Sequence, residues 1–289
     1  MTPLIVIVGL QKSGTTLLQR FLEQSGCFRH PFDGEGDDFW GNTPPFSPDG
    51  HPVGLVYQAH RGDRGHEIGA DEWTPEASRI LQARLTALGE GDVPAVNKNP
   101  YHTVRLPWLR RVFPHAVVVA MLRRPVPNVF SLFKKHFPHP GAGLPPEEGW
   151  WGVKPAGWRT LADPDKAVQC ARQWQAVNDK LWRDRGLIDR VVEYGALCAR
   201  PREVVEDVCR LATGRGLPET AVLAPVPDFD REYSRGAGLK SKNRISRQTG
   251  CLDLSGLNER IELRPFSRRE IAEIREICGA TAKAWRLPK

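Results

Sequence analysis

The sequence predicts an α/β fold in which a parallel sheet lies between two layers of helices. Three runs of apolar and β-branched residues, 4–8, 116–122 and 187–192, have the composition of strands buried in a sheet. Helical segments separate these runs, and strands that alternate with helices are typical of a parallel sheet covered on both faces. Because the chain has 289 residues, of which 40% are apolar, we expect one domain over residues 1–289.

The order of the elements follows from local signals. The first strand leads through a glycine-bounded loop into a helix that begins near residue 15, and a further short strand is predicted over 93–97. Thr74 and Ser267 are expected to be N-caps, and Pro125 suits the first turn of a helix. Six further helices are predicted from the spacing of apolar residues: 75–88, 102–112, 125–136, 163–184, 201–212 and 267–285.

Three segments are predicted to be irregular because glycine, proline and polar residues are frequent in them: 26–60, 138–162 and 214–266. The second of these contains Trp150, Trp151 and Trp158, and we interpret it as a Trp-rich insertion that forms a loop or lid. Loops of that length in a compact domain are usually functional or mobile.

Charge and composition limit the classes of partner. The net charge of +7 and the isoelectric point of about 9.2 favour anionic ligands. No zinc-finger spacing, RNP-type motif or basic arm is present, so we expect no nucleic-acid partner. The six cysteines form no Cys-x-x-Cys pair and are interpreted as buried free thiols. Because no apolar run is long enough for a signal peptide or a membrane span, we expect a soluble, cytoplasmic protein.

The most informative segment is the loop that follows the first strand, Gly9-Leu10-Gln11-Lys12-Ser13-Gly14-Thr15-Thr16. Free backbone N–H groups and the positive end of a helix dipole converge at such a turn, which predicts a phosphate-binding site. The order of residues differs from a Walker A motif, because Lys12 precedes Gly14 instead of following it.

The run from Lys12 to Leu18 resembles the 5′-phosphosulfate-binding loop of sulfotransferases that use 3′-phosphoadenosine 5′-phosphosulfate (PAPS). A second run, from Val118 to Ser131, resembles the 3′-phosphate motif of the same family, in which Arg123 and Ser131 have the expected spacing. Arg124 stands where the family often has Asp or Asn. The resemblance implies the P-loop NTPase-like sulfotransferase fold, PAPS as the cofactor and no metal. It also implies that Lys12, Ser13, Gly14, Thr15 and Thr16 bind the 5′-phosphosulfate, and that Arg123 and Ser131 bind the 3′-phosphate.

Two further segments resemble the family more loosely. Tyr194 lies in a run similar to the family's Tyr-Glu-Asp-Leu segment, whose Tyr approaches the adenine, although Gly195 and Ala196 depart from that pattern. A basic stretch resembles the loop that closes over the 3′-phosphate, and its candidate residues are Lys240, Lys242 and Arg244. A solvated basic loop is the alternative interpretation of this stretch.

Sulfuryl transfer needs a base for the acceptor proton and a cation for the developing charge. The resemblance assigns the cationic role to Lys12. Glu35 is the first candidate for the base, because carbohydrate and tyrosylprotein sulfotransferases carry their catalytic Glu at a similar distance after the loop. Lys98 resembles the Lys of a Lys-x-Pro segment that binds the sulfuryl group or the acceptor, with a structural ion pair as the alternative. The cytosolic small-molecule enzymes use a Lys-x-His segment, but Pro100 replaces that His here. His102 and His60 are therefore the fallback bases.

Residues 33–38, Asp-Gly-Glu-Gly-Asp-Asp, form an acidic cluster that contains Glu35. This cluster and the absence of a Lys-x-His segment favour a carbohydrate, glycolipid or natural-product acceptor over a simple phenol. We expect the Trp-rich insertion and the loop over 40–66, with Trp40, Tyr57, His60 and Arg61, to form the rim of the acceptor pocket. Two alternatives stay open: a divergent P-loop kinase that uses ATP and Mg²⁺, and a non-catalytic binder of nucleotides or polyanions. A homodimer is compatible with the sequence.

Overall fold

The computed structural model describes residues 3–36, 38–42, 62–89, 93–135, 150–226, 244–245, 252–253 and 266–287. Four parallel strands form its central sheet: β1 (Leu4–Val8), β2 (Ala95–Lys98), β3 (Val117–Leu122) and β4 (Arg190–Glu193). They lie in the order β2-β1-β3-β4, so β1 and β3 are the central pair. Both are apolar along their whole length because helices cover both of their faces.

The described residues contain eight α-helices: α1 (Thr15–Gln24), α2 (Pro75–Ala87), α3 (Leu106–Val112), α4 (Pro125–Phe133), α5 (Lys166–Arg183), α6 (Tyr194–Ala199), α7 (Pro201–Thr213) and α8 (Arg268–Ala284). Within the described part of the chain, no helix combines the length and the apolar character that crossing a bilayer would require.

The alternating side chains of β1 show how the layers are arranged. Val6 belongs to an apolar cluster that includes Leu81 of α2 on one face of the sheet. Ile7 belongs to a second cluster, with Leu18 of α1 and Val205 of α7, on the other face. Successive side chains of a strand point to opposite faces, so the sheet lies between two helical layers. The predicted three-layer α/β fold is confirmed.

A third apolar cluster joins α4, α5 and α8. It includes Leu10, in the loop that follows β1, together with Trp174 of α5 and Ile274 of α8. The loop is therefore anchored by this group of helices as well as by the sheet. This anchoring matters because the loop carries most of the candidate functional residues.

Capping side chains determine where several helices begin. Thr74 Oγ1 accepts a hydrogen bond from the N–H of Ala77 (3.2 Å), which starts α2 as predicted. Ser267 and Glu270 form the reciprocal hydrogen bonds of a capping box at the start of α8. Asp165 caps α5, so this helix begins three residues later than the periodicity of its apolar residues suggests.

Other boundaries differ from the prediction for physical reasons. The helix predicted over 102–112 is divided into a 3₁₀ turn, Pro100–Val104, and α3. Pro107 lies in the first turn of α3, where its missing N–H leaves no hydrogen bond unmade. The sequence analysis missed α6, and also the two-stranded antiparallel pair β5 (Arg244–Ile245) and β6 (Leu252–Asp253) within the region predicted to be irregular.

The described cysteines are all free thiols. Cys170, Cys198, Cys209 and Cys278 are buried, as predicted, and Cys27 is partly exposed. Cys251 lies outside the described residues.

Candidate active site

The loop between β1 and α1 is a tight turn that needs glycine at both ends. Gly9 and Gly14 have φ angles of 137° and 104°, a region that side chains disfavour. The N–H of Gly9 donates to Thr103 Oγ1 (2.8 Å), and the N–H of Ser13 donates to the carbonyl of Leu10 (3.1 Å). A Cβ on Gly14 would lie 2.6 Å from the ring of Tyr194. The loop is thus held from both sides in one conformation.

The first turn of α1 is open to an anion. Its N-cap residue is Gly14, which offers no side chain to the free N–H groups of the turn. Ser13 Oγ is buried and has no hydrogen-bond partner among the described residues, whereas the Thr16 side chain is exposed. Backbone donors and an unpartnered hydroxyl at a helix N-terminus form a site for a phosphate or sulfate group.

Lys12 stands at the mouth of this turn in a conformation that only a few non-glycine residues adopt, with φ of 69°. Although solvent reaches its side chain, protein atoms surround the ammonium group, and this burial lowers the pKa of Lys12 to about 8. The positive charges of Lys135, Lys134, Arg123 and Lys98 lower it further. These strongest charge effects on Lys12 from the described residues come from cations, so they give the turn a positive potential.

Arg123 connects the loop with the end of β3. Its Nη1 donates to the carbonyl of Lys12 (2.8 Å) and to Ser131 Oγ (3.3 Å). Its guanidinium lies over the ring of Tyr194, 4.3 Å from the centroid. The structure therefore brings the three predicted donor-binding residues Arg123, Ser131 and Tyr194 together beside Lys12.

Lys134 and Lys135, at the C-terminal end of α4, were missed by the sequence analysis. Lys134 lies over the ring of Phe130 (4.9 Å) and Lys135 over that of Trp151 (5.7 Å). Burial lowers the pKa of Lys134 to about 8, and the charge of Arg123 adds to this effect. Their spacing from Ser131 could have identified them, because residues three and four positions after a helical residue lie on the same face of the helix.

Glu35 and Lys98 form an ion pair beside the first turn of α1. Asn97 Nδ2 donates to the carbonyl of Glu35 (3.0 Å), and Trp40 Nε1 donates to Asn97 Oδ1 (3.1 Å). These bonds tie the Glu35 loop to the end of β2. Together with Thr16, Glu35 and Lys98 line a cavity of about 380 Å³, a size typical of small-molecule sites.

The position of His102 does not suit a general base. It is fully buried, and the centroid of its ring lies 4.1 Å from the ring centroid of Trp40. Neither ring nitrogen has a hydrogen-bond partner among the described residues. Burial, with a smaller effect of the Arg105 charge, lowers the pKa of His102 well below its ordinary value. Trp40 is also fully buried, so it does not stand at a pocket rim as expected. Both residues are members of a packed core.

The described part of the Trp-rich insertion packs as ordered structure. Trp150 and Trp158 are buried with their ring centroids 5.6 Å apart. The N–H of Val153 donates to Gln11 Oε1 (3.2 Å), which joins this segment to the glycine loop. Residues 136–149 lie outside the described residues, so a lid role for the insertion stays a prediction.

The remaining predicted site residues can be placed only in part. Arg244 lies in β5, and its side chain is not described. Four others lie outside the described residues: Tyr57, His60, Lys240 and Lys242. Arg61, expected at the same pocket rim, is outside them as well.

The chain matches one family model and resembles several solved structures. Residues 3–215, well over half of the chain, match the model of the sulfotransferase family. Among solved structures, the sulfotransferase STF9 from Mycobacterium avium is 13% identical, with 99% of this chain and 78% of that chain covered and a TM-score of 0.50. A sulfotransferase from Alicyclobacillus acidocaldarius is 17% identical over 99% of both chains, with a TM-score of 0.44. No curated protein sequence matches significantly.

At such identities the likeness to STF9 supports the fold alone, and the family model carries the assignment. The chain belongs to the sulfotransferase family and is an enzyme of the transferase class.

Proposed function

We propose that this enzyme transfers a sulfuryl group from PAPS to a hydroxyl or amine of a carbohydrate, glycolipid or natural-product acceptor. The observation that carries the proposal is the convergence of cations on the glycine loop. Among the described residues, the charges with the largest effect on the Lys12 ammonium are those of Lys135, Lys134, Arg123 and Lys98, and each of them is positive. A cluster of this kind favours a ligand with several negative charges, and PAPS carries phosphate groups at two positions and a sulfate.

The residues around the loop fit one end of this donor. We assign the 5′-phosphosulfate to Lys12, Ser13, Gly14, Thr15 and Thr16, because the first turn of α1 has no side-chain cap and Ser13 Oγ is a buried hydroxyl without a partner among the described residues. Each of these groups can donate a hydrogen bond to an anionic oxygen.

The other end of the donor fits the groups at the end of β3. We assign the 3′-phosphate to Arg123 and Ser131, which are already hydrogen-bonded to each other, with Lys134 as a further cation. The ring of Tyr194 lies under Arg123 and is the candidate contact of the adenine. Lys240, Lys242 and Arg244 stay predictions from the sequence for a segment that covers the 3′-phosphate.

When bound, the donor would supply the sulfuryl group and leave as adenosine 3′,5′-bisphosphate. Glu35 is the base that we propose for the acceptor proton, because its carboxylate lines the cavity next to Thr16. The ion pair with Lys98 holds that carboxylate in one place. Lys12 offsets negative charge at the mouth of the loop. His102 is too deeply buried to reach an acceptor, and His60 stays a fallback from the sequence.

The kinase alternative is not favoured by any observation. A kinase of this architecture would need a carboxylate at a strand end to hold Mg²⁺, but β1 ends at Val8, β2 at Lys98 and β3 at Leu122. β4 ends at Glu193, whose carboxylate caps α6 by accepting a hydrogen bond from the N–H of Ala196 (2.8 Å). The non-catalytic alternative disagrees with the family assignment. A cytoplasmic location and a homodimer stay predictions from the sequence, as does the expectation that no metal is needed.

The test is sulfuryl transfer from radiolabelled PAPS to a panel of hydroxyl and amine compounds. We expect Glu35→Gln to lower turnover by about 100-fold or more, because general-base catalysis contributes about that much. The same substitution should leave the affinity for adenosine 3′,5′-bisphosphate unchanged. Glu76→Gln, at an exposed acid in the first turn of α2, is the matched control and should behave like the wild type. Near-normal turnover of Glu35→Gln would show that another group takes the proton.

A further inference from the structure

The backbone of Lys12 belongs to a tight turn within the glycine loop. Residues 10–13 form this turn, because the N–H of Ser13 donates to the carbonyl of Leu10 (3.1 Å). The φ angle of Lys12 is 69°, whereas that of Gln11 is not positive. A hydrogen-bonded turn with a positive φ only at its third residue is a type II turn, and glycine is the residue that suits this position best. A lysine at this position therefore needs support from outside the turn.

The peptide group between Gln11 and Lys12 distinguishes this turn from the commoner type I turn. The two types differ mainly in a rotation of this central peptide by roughly half a turn, and in type I the third residue has a negative φ that lysine adopts without strain. Because a trans peptide directs its C=O and its N–H in opposite directions, the rotation reverses both groups. Whatever binds the Gln11 carbonyl thus determines the conformation of Lys12.

Asn128, near the start of α4, binds that carbonyl. Its Nδ2 donates to the carbonyl oxygen of Gln11 (3.0 Å). The residue is only 1% exposed, and a hydrogen bond in such surroundings is electrostatically stronger than one in water. The next carbonyl along the chain, that of Lys12, accepts a hydrogen bond from Arg123 (2.8 Å). The peptide groups on both sides of Lys12 are therefore held by side chains of the segment that follows β3.

The amide group of Asn128 is unfavourable for the fold in one respect. Its Oδ1 is buried and has no hydrogen-bond partner among the described residues. A buried polar atom without a partner costs free energy, and a leucine of similar size would avoid that cost. The amide provides one group that a leucine would not, which is the Nδ2 donor to the turn.

The same hydrogen bond leaves the N–H of Lys12 available to a ligand. This N–H has no hydrogen-bond partner among the residues that the structure describes. Since the C=O of its peptide points to the buried Asn128, the N–H points away from that side chain. A backbone N–H that is presented by a turn, next to the ammonium of the same residue, is a donor of the kind that binds anionic oxygens.

We propose that Asn128 is a positioning residue for the transfer reaction. By binding the carbonyl of Gln11, it keeps Lys12 in the left-handed conformation in which the N–H and the ammonium of this residue bind the donor together. The inference rests on the proposed function, because it takes Lys12 to be a ligand of the donor. Asn128 lies three positions before Ser131, on the same face of α4, so one helix supports Lys12 and also carries the hydroxyl that Arg123 contacts.

The first test is calorimetric titration of Asn128→Leu with adenosine 3′,5′-bisphosphate. We expect its affinity to be about tenfold lower than that of the wild type, a factor that corresponds to about 1.4 kcal/mol. Asn178→Leu is the matched control, because Asn178 is also buried but its Nδ2 donates within its own helix, to the carbonyl of Trp174 (2.7 Å). This control should bind the nucleotide like the wild type.

A double-mutant cycle identifies the residue through which Asn128 acts. Glycine adopts a positive φ without strain, so Lys12→Gly should not need the bond to the Gln11 carbonyl, whereas Lys12→Ala should still need it. Both variants lack the ammonium, so they differ in backbone freedom and in a single methyl group. We expect Asn128→Leu to lower the affinity about tenfold in the Lys12→Ala background and by less than about threefold in the Lys12→Gly background. If Asn128→Leu does not fold, Asn128→Ala takes its place in the same measurements.

Two results would overturn the inference: an affinity of Asn128→Leu equal to that of the wild type, or equal losses in the Lys12→Ala and Lys12→Gly backgrounds. As long as the wild type binds the nucleotide, either result leaves the proposed function intact. If the wild type does not bind the nucleotide, the proposed function is wrong, and the inference about Asn128 is wrong with it.

Discussion

Lys12 combines two features that are unfavourable in the absence of a ligand. Its backbone has a φ of 69°, which costs a non-glycine residue about 1 kcal/mol. Its ammonium is crowded by protein atoms and by four other cations. A bound anion would offset this crowding of positive charge, because a nearby negative charge stabilises the protonated ammonium. Such strain at a cleft is therefore an argument for a role in binding.

The lowered pKa of Lys12 predicts how donor affinity depends on pH. In the free enzyme this pKa is about 8, and a bound anion should return it towards the ordinary value for lysine. At a pH where Lys12 of the free enzyme is deprotonated, binding of the nucleotide therefore takes up a proton. We expect the affinity for adenosine 3′,5′-bisphosphate to be constant between pH 7 and about pH 8, and to fall as the pH rises further. Calorimetric titrations from about pH 7 to about pH 10 measure this slope.

Lys12→Arg is the control, because arginine stays protonated over the whole range. The affinity of this variant should fall less steeply with rising pH. The pH dependence that is left should come from Lys134, whose pKa is also about 8. An unchanged slope in Lys12→Arg would mean that the proton is not taken up at Lys12.

Single residues differ in how far the sequence could reveal them. The spacing of Arg123 and Ser131 predicted a pair, and the two are hydrogen-bonded. His102 could not be excluded from the sequence, because its burial against Trp40 depends on contacts between distant segments.

At the scale of elements, the turn from β1 to α1 depends on the neighbour that closes it. Tyr194, the first residue of α6, packs against Gly14 and also lies under Arg123. A short helix that the sequence analysis missed thus supports both halves of the candidate donor site. It was missed because Gly195 and Ala196 hide helical periodicity in a segment of only six residues.

Gly14→Ala tests this turn. We expect a loss of more than about 2 kcal/mol in the free energy of unfolding, because the new Cβ adds a clash with Tyr194 to the cost of a positive φ. Binding of adenosine 3′,5′-bisphosphate should be strongly weakened as well. Denaturant unfolding and calorimetry measure the two effects.

Gly26→Ala is the matched control, because Gly26 also has a positive φ (70°) but a methyl group added at its Cα would have no atom within 4 Å. It should cost about 1 kcal/mol and leave nucleotide binding intact. Equal losses of stability in the two variants would contradict the proposed role of the contact between Gly14 and Tyr194.

The elements that were predicted from the sequence are those with strong local signals. β1 and β3 are continuous apolar runs, and α2 and α8 begin at capping residues. The division of the helix predicted over 102–112 was not foreseeable, because residues 100–104 turn where Thr103 and His102 enter the core. Local propensity describes segments, whereas such breaks are decided by packing.

At the scale of the whole molecule, the sheet order brings the site together. β1 and β3 are neighbours, so the residues that follow their carboxyl ends meet, although Lys12 and Arg123 are 111 positions apart. Ligands of open α/β sheets bind at this edge. The parallel arrangement could be predicted from the alternation of strands and helices. It also predicted that the two segments expected to bind phosphate, around Lys12 and Arg123, lie close together.

The acceptor side could be predicted only as a set of candidates. The pairing of Glu35 with Lys98 joins residues 63 positions apart, and Asn97 and Trp40 complete the support of that loop. No local pattern encodes such a contact. The cavity next to it exists because a loop after α1 folds back over the end of β2, which is a property of the tertiary structure alone.

The central claim is that the cationic loop binds a 3′-phosphorylated donor, and calorimetric titration with adenosine 3′,5′-bisphosphate, ADP and ATP tests it most directly. The account predicts tight binding of the 3′,5′-bisphosphate that needs no Mg²⁺ and clearly exceeds the binding of ADP, with this preference narrowed in Arg123→Ala. A preference for ATP that requires Mg²⁺ would contradict the account and would indicate a divergent kinase.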